Sequence, residues 1–351
     1  MIGINLPNHR LMLKKEHSFG VPEKKLYFCT VLDGVMREIT LKMLIVALLC
    51  AVSLSVSAQL LRANRQQKFP KDIPAGNYSG ITPIGGDRYA VVSDKTSDGF
   101  YVFRIDIDTV RGRILGVTNE GFRTTGRPTR DQEGIAWNPQ SQSLFISGEA
   151  DNHILEYTLD GQQTGRQLQV PSSFSRLGSD YGLESLCYDA EAHRYYTINE
   201  RPAKGDSLLW LMAFGDDGRL AGQYAYKLDP VPSKRRGTLL NGVSEVCAIG
   251  NGRLLLLERT LRIPPLKIGS YAECRLYMVN PSGSQPLTKT HLYTFRTHIN
   301  LLRRNFANYE GLCVAHRLSD GSLILLMVAD SQNQHRGILR DWLKTIVITN
   351  N

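Results

Sequence analysis

Nine carboxylates recur at two fixed places in a repeating pattern of this chain. Glu133, Glu184, Glu245 and Glu310 each open a short apolar run, while Asp94, Glu149, Glu200, Glu258 and Asp330 each close the second run of a copy. Antiparallel runs joined by a tight turn bring the start of one against the end of the next, so the two sets should meet in pairs. Nine acids around one polar mouth repel strongly where the effective dielectric is low. Protonation, neighbouring cations or bound metal ions would each relieve that repulsion. Lys95, Arg201 and Arg259 directly follow three of the second-set acids, and Arg127, Arg130 and Arg336 stand close by in sequence. A ring of hard oxygen donors is what Ca²⁺ selects. Metal ions set among arginines would in turn suit a phosphate or another small anion. On this reading all nine acids are candidate metal ligands, and the six cations are candidate substrate contacts. Glu133, Glu184 and Glu310 are candidates for catalysis, joined by His335 in the loop after Asp330. A plainer account stands beside it: a Glu repeated at one position can cap backbone N–H groups or pair with Arg of the next repeat. Ser79 occupies the place where the other copies carry Glu, and no G-x-S-x-G elbow accompanies it.

The elements that must position these residues are short strands. In 131–161, Glu133–Trp137 runs into the Asn138-Pro139 turn, Ser143–Ser147 follows, and His153–Leu159 ends at Asp160-Gly161, a hairpin signal. The same unit recurs from Ser79, Glu184, Glu245 and Glu310, at spacings of 51 to 65 residues. Such a period of short strands predicts a β-propeller, all-β, with five visible four-stranded blades; a sixth made from divergent segments stays open. The last copy runs out of chain after three strands, so residues near 60–69 are expected to complete its sheet. Only Thr297–Asn308 has helical spacing, through Ile299, Leu302 and Phe306. The connections 201–207, 230–240 and 261–272 should be loops on the propeller faces. A parallel α/β fold would need a helix between strands, and these connections are mostly turns.

Residues 43–58, MLIVALLCAVSLSVSA, have the length and small-residue end of a signal peptide, with Arg37 and Lys42 ahead of them. The expected division is a leader over 1–58 (signal 36–58, with translation starting at Met36 or Met43), a tether or closing strand over 59–77, and the propeller over 78–351. That predicts an exported protein, periplasmic or extracellular, with no stable membrane span in its mature part. The formal net charge of +9 falls to +6 beyond residue 58, with 35 Lys+Arg against 29 Asp+Glu. These basic residues are scattered and not interleaved with aromatics, so no nucleic-acid partner is expected. Four Cys remain past the leader: Cys187, Cys247, Cys274 and Cys313. None has metal-finger spacing, and they read as buried free thiols in apolar positions rather than disulfides.

The runs Asp131-Gln-Glu-Gly-Ile-Ala-Trp137, Gly182-Leu-Glu-Ser-Leu186, Asn199-Glu200 and Tyr309-Glu-Gly-Leu312 with Ala329-Asp330 resemble the phytase-like domain, described as esterase-like activity of phytase. The resemblance spans roughly 80–348. It implies an exported propeller with calcium-dependent phosphoesterase action at the mouth of its central channel. The D-D-P-A-[IV]-W type of signature of the propeller phytases is absent, so inositol phosphate does not follow as the substrate. A non-catalytic propeller that binds a ligand or envelope partner, and a metal-dependent lactonase-like hydrolase, are the alternatives.

Overall fold

The computed structural model describes residues 61–172, 174, 182–231, 236–299, 305–331 and 339–349. The expected leader, His335 and Arg336 lie outside the described residues. Contacts divide the chain into two units, Met1–Ala58 and Gln59–Asn351, and every described residue belongs to the second. Two short strands, β1 (Leu61–Ala63) and β2 (Gln67–Lys68), precede five blades. Blade 1 holds β3 (Tyr78–Gly85), β4 (Arg88–Ser93), β5 (Gly99–Ile107) and β6 (Ile114–Thr124). Blade 2 holds β7 (Gln132–Asn138), β8 (Ser143–Gly148), β9 (His153–Thr158) and β10 (Gln163–Leu168). Blade 3 holds β11 (Cys187–Asp189), β12 (Arg194–Ile198), β13 (Leu209–Gly215) and β14 (Leu220–Tyr226). Blade 4 holds β15 (Thr238–Gly250), β16 (Arg253–Ile263), β17 (Ser270–Val279) and β18 (Lys289–Ile299). Blade 5 holds β19 (Asn308–Arg317), β20 (Leu323–Asp330) and β21 (Trp342–Ile348). All pairings are antiparallel between consecutive strands. The β15–β16 turn shows the local logic: Asn251 and Gly252 both have positive φ, 54° and 65°, as a two-residue I′ hairpin demands.

The second strand of each blade is buried on both faces, and its alternation decides which neighbour each side chain meets. In β20, Ile324, Leu326 and Val328 pack against Tyr89, Val91 and Phe103 of blade 1. Leu325 and Met327 turn the other way, onto Leu255, Leu257 and Leu276 of blade 4. Three further clusters fill the remaining gaps between blades 1 and 2, 2 and 3, and 3 and 4. Five interfaces between five sheets make a closed propeller, with no sixth blade.

Closure uses the N-terminal segment. Leu61 pairs with Ile348 and Gln67 with Leu343, so β1 and β2 supply the outer strand that blade 5 lacks. Asn64 bridges the break between them, its backbone N–H donating to Thr345 O at 3.0 Å.

Two expectations fail in blade 4. Residues 289–299 form β18, not a helix, and Asn308 already begins β19; among the described residues there is no helix. The segments expected as loops at 230–240 and 261–272 partly extend the sheet, so that blade 4 has strands of 10 to 13 residues. Ile299, Leu302 and Phe306 are spaced for a helix, but Thr297 and Ile299 belong to a strand whose register with Ala272 and Ser270 is unbroken. Cys187, Cys247, Cys274 and Cys313 are free thiols, as expected.

Candidate functional site: an acidic mouth with one built-in cation

The inner strands set the site by a shared irregularity. Between first and second strand the register breaks after Tyr78, Gln132, Val243 and Tyr309, and in blade 3 after the isolated bridge of Leu183 with Asn199. A bulge re-aims the side chain that follows the last regular pair. Those side chains are Ser79, Glu133, Glu184, Ser244 and Glu310. The residues paired before the break are Ser93, Gly148, Asn199, Glu258 and Ala329. Each is followed by a residue of the second ring: Asp94, Glu149, Glu200, Arg259 and Asp330.

Blade 4 is therefore one residue out of phase with the expected alignment, and a one-residue slip moves a strand side chain to the other face. Glu258 does not reach the mouth. It lies fully buried between blades 3 and 4, accepting from Tyr226 Oη at 2.8 Å and pairing with Lys289 and Arg275. Glu245 is also below the mouth. It holds the position filled by Gly80, Gly134, Ser185 and Gly311 elsewhere. Strands approach so closely there that a Cβ on Gly134 would lie 2.6 Å from Leu186 N, and one on Gly311 2.7 Å from Ser79 O. The Glu245 carboxylate instead accepts from Leu186 N at 3.2 Å and Val246 N at 2.9 Å, capping strand backbone in the plainer role foreseen for such a Glu. Burial pushes it well above the carboxylate range, and the backbone N–H groups of Val246, Leu186 and Leu312 partly offset this. A small residue followed by Ile or Leu marks the phase in blades 1, 2, 3 and 5, and in blade 4 only the Val246 that follows Glu245 keeps it.

What takes the fourth place is Arg259, a residue with the opposite charge. Its guanidinium donates to Glu200 Oε1 at 2.7 Å, to Asn308 Oδ1 at 2.8 Å and to Glu310 Oε1. Arg201 Nε meets the other Glu200 oxygen at 2.6 Å. Asn308 Nδ2 donates to Glu310 Oε1 at 2.7 Å and to Asp330 Oδ2 at 3.3 Å. The side of the mouth formed by blades 3, 4 and 5 is thus partly balanced from within by Arg259 and Arg201. Arg259 is spent on carboxylates and acts as their positioning residue, not as an open anion contact.

Across the mouth, blades 1 and 2 are less well balanced. Carboxylate oxygens of Asp94, Asp131 and Glu133 lie within 4.8 Å of one another. Lys95 Nζ reaches Asp94 at 2.8 Å and Asp131 at 3.3 Å. Asp94 Oδ1 is buried with no hydrogen-bond partner among the described residues, an uncommon state for a carboxylate oxygen. Asp131 was not among the expected ligands; its left-handed φ of 58°, one residue before the strand, is what turns it toward Lys95. Hard oxygens at this spacing with one orphaned acceptor fit a calcium-sized cation.

The remaining expected contacts stand elsewhere. Arg130 is buried between blades 1 and 2, where it clasps Asp151 at 2.7 Å, His153 O at 2.9 Å and Tyr157 Oη at 3.3 Å. Arg127 is exposed, and its backbone carbonyl accepts from Asp98 N. Glu149 packs against Gly182, where a Cβ would lie 2.3 Å from its Cγ. Ser79 is buried and donates to Asn77 O at 3.3 Å.

Crowding shifts the acids upward. Burial raises Glu133 well above the carboxylate range, with Glu184, Glu310, Asp94 and Glu149 adding repulsion. Glu184 is raised by burial, then by Glu200 and Glu149. Glu310 is pushed up to about 8 by burial and Asp330, against the pull of Arg259. Asp94 rises to about 6 through burial, with Lys95 partly opposing it.

The family model that matches this chain is phytase-like, described as esterase-like activity of phytase, over residues 73–332. No curated protein matches the sequence significantly. Similar solved structures include an endo-arabinase from Bacteroides thetaiotaomicron, at 12% identity and TM-score 0.47, covering 82% of this chain and 98% of that one. A luciferin-regenerating enzyme is similar at 8% identity and TM-score 0.42, covering 83% and 97%. The nidogen/laminin complex is similar at 13% identity and TM-score 0.38, covering 81% and 93%.

The raised acids give stability an inverted pH dependence. Between its unfolded and folded values each group binds more protons in the native state, so stability falls as pH rises. The contribution is complete below the ordinary carboxylate values and is lost through about 6 for Asp94 and about 8 for Glu310. Melts in chelator should show Tm declining from pH 5 to 9, and Glu310→Gln should flatten the upper part; a Tm that climbs across this window would contradict the assignment. Removing the internal cation should be costly. Arg259→Gln strands Glu200 and Glu310 and is expected to lose about 3–5 kcal/mol at neutral pH, read by urea unfolding, with added Ca²⁺ recovering more in the variant than in the parent.

Proposed function

Because the chain belongs to the phytase-like family, we propose that it is a calcium-assisted phosphoester hydrolase acting at the acidic mouth. The observation that carries this reading is the Asp94–Asp131–Glu133 cluster with its orphaned Asp94 oxygen. Asp94, Asp131 and Glu133 would hold the ion. Bound there, calcium would supply Lewis-acid polarisation of a phosphoryl oxygen and acidify a water. The chain's own residues do the rest. Glu184 couples electrostatically to Glu133, and once a cation held beside Glu133 lowers its raised proton affinity it would take the proton of the attacking water. Glu310 Oε1 is engaged by Arg259 and Asn308, which leaves Oε2 to carry a proton at neutral pH. In the reaction a water oxygen bonds to phosphorus, the bond from phosphorus to the ester oxygen breaks, and that oxygen leaves as an alcohol with the Glu310 proton. Arg201 and Lys95, both at the rim, favour a small anionic substrate over a neutral one.

The test has two stages. A melt of the protein with millimolar Ca²⁺ and with chelator should show calcium raising Tm, and Glu133→Gln should reduce the shift. Hydrolysis of a generic phosphomonoester should then fall by at least about a hundredfold in Glu310→Gln, the usual size of a lost proton-transfer group. No shift with calcium would sink the metal reading. A shift without hydrolysis would favour a propeller that binds an anionic ligand and turns nothing over.

We also propose export. What supports it is the apolar 43–58 run with its small-residue end, together with a propeller whose closing strand begins at Leu61, just beyond it. Secreted or periplasmic material should begin at Gln59 by N-terminal sequencing, and retention of the 43–58 run in an intracellular product would overturn this.

A further inference from the structure

Blade 4 carries a feature that phosphate chemistry does not use. Its long strands extend past the mouth and frame a cavity of about 400 Å³. Leu261, Ile263, Leu266, Ile268, Ile299 and Phe306 line it, with few polar atoms among them. Leu266 and Ile268 stand 85% and 58% exposed at its edge, large apolar side chains in the turn between β16 and β17. The cavity is continuous with the mouth in two ways. Asn308, the side chain that accepts from Arg259 and donates to Glu310 and Asp330, is also part of the cavity wall. On β16, moreover, Arg259, Leu261 and Ile263 are at alternate positions and share one face. A single strand face therefore passes from the charged ring to the apolar cavity over about 13 Å, at roughly 3.3 Å per residue. Mostly apolar walls with a few fixed polar groups at one end are the usual form of a small-molecule site of this size.

We propose that this groove takes the apolar alcohol part of an anionic amphiphile, a long-chain alkyl or aryl phosphate ester whose charged head sits in the mouth. The proposal rests on the phosphoester reading and names the substrate class for it. A polar substrate carrying phosphates on every side would leave Leu261 and Ile263 unused. An ester with one anionic end and one apolar end matches both parts of the strand face. The enclosed volume suits a chain of roughly ten methylenes, by the span of the face, and is too small for a helix or strand of a partner.

The experiment separates head from tail by using non-hydrolysable alkylphosphonates on the full chain, read by calorimetry in millimolar Ca²⁺ and in chelator. Affinity should rise about fourfold per methylene, the ordinary value for burying one CH₂, and level off near ten carbons. Chelator should weaken every member by a common factor. Leu266→Ser and Ile268→Ser, at exposed positions that leave the fold intact, should flatten the chain-length dependence. Neither should change methylphosphonate binding or the calcium shift in Tm. Equal binding of all chain lengths, with the calcium shift retained, would overturn the groove and spare the mouth. A chain-length dependence that is indifferent to calcium and to the phosphonate head, or untouched by both substitutions, would overturn the groove as an extension of the site. Self-association that Leu266→Ser abolishes would also overturn it, since a second copy would then be what covers the groove.

Discussion

Five inner strands converge on one axis, and in blades 1, 2 and 5 the room they leave is less than a methyl group at the position next to the bulge. A Cβ would sit 2.5 Å from Glu133 O at Gly80, 2.6 Å from Leu186 N at Gly134 and 2.7 Å from Ser79 O at Gly311. Backbone this close cannot accommodate a large side chain directed at the neighbouring strand, so the bulge turns the preceding side chain toward the mouth. That steric constraint places Glu133 and Glu310 on one level, and the break in pairing after Leu183 brings Glu184 to the same level, with the second-strand residues beside them. Burial and mutual repulsion then raise their proton affinity. The acidity of the mouth is a consequence of propeller geometry before it is a device for chemistry.

The energy that permits such crowding lies away from the axis. Strands such as β8, β20 and β21 are buried along their whole length, and each sends alternate side chains into two different interblade clusters. Burial of each such Leu, Ile or Phe contributes about 1.5–3 kcal/mol, repeated at five interfaces. β1 and β2 also cover the edge that the long buried strand β21 would otherwise present, leaving only two short strands at the rim of that sheet. Buried ion pairs are by contrast weak contributors to net stability, because desolvation offsets most of their attraction. Arg259 with Glu200 and Glu310 is better understood as fixing which acids stay charged and where they point.

Much of this was legible in the sequence because propeller blades repeat. Alternating runs, Asn-Pro and Asp-Gly turns and a last copy one strand short were enough for five blades and for closure through residues near 60–69. The mouth was legible only in outline. Glu133, Glu184, Glu310, Asp94, Glu149, Glu200 and Asp330 could be aligned because each blade's small-residue step follows its Glu or Ser. Blade 4 defeated the alignment, since Ser244-Glu245 offers a Glu at the wrong phase and Glu258-Arg259 offers an acid one residue before the axial place. Charge was the misleading signal there, and the apolar residue that follows, Val246, kept the phase. Asp131 went unnoticed because its role comes from a left-handed backbone turn, which a sequence pattern does not display. The helix expected over 297–308 drew its apolar spacing from Ile299, which ends a strand, from Phe306, which lines a cavity, and from Leu302, which lies outside the described residues.

The two departures in blade 4 act together. By carrying Arg259 where the other blades carry acids, it supplies Glu200 and Glu310 with a built-in cation, whereas the Asp94, Asp131 and Glu133 cluster of blades 1 and 2 has Lys95 alone. By lengthening its strands beyond the ring, the same blade raises an apolar wall on the side that carries this internal arginine. A fully symmetric ring of acids would offer equivalent sites all round and no preferred orientation for a ligand. With charge demand on one side and apolar surface on the other, a ligand in the mouth has a defined direction across it. Orientation of this kind precedes any catalytic geometry, because Glu310, in the general-acid role proposed for it, would serve only an ester oxygen turned toward blades 4 and 5.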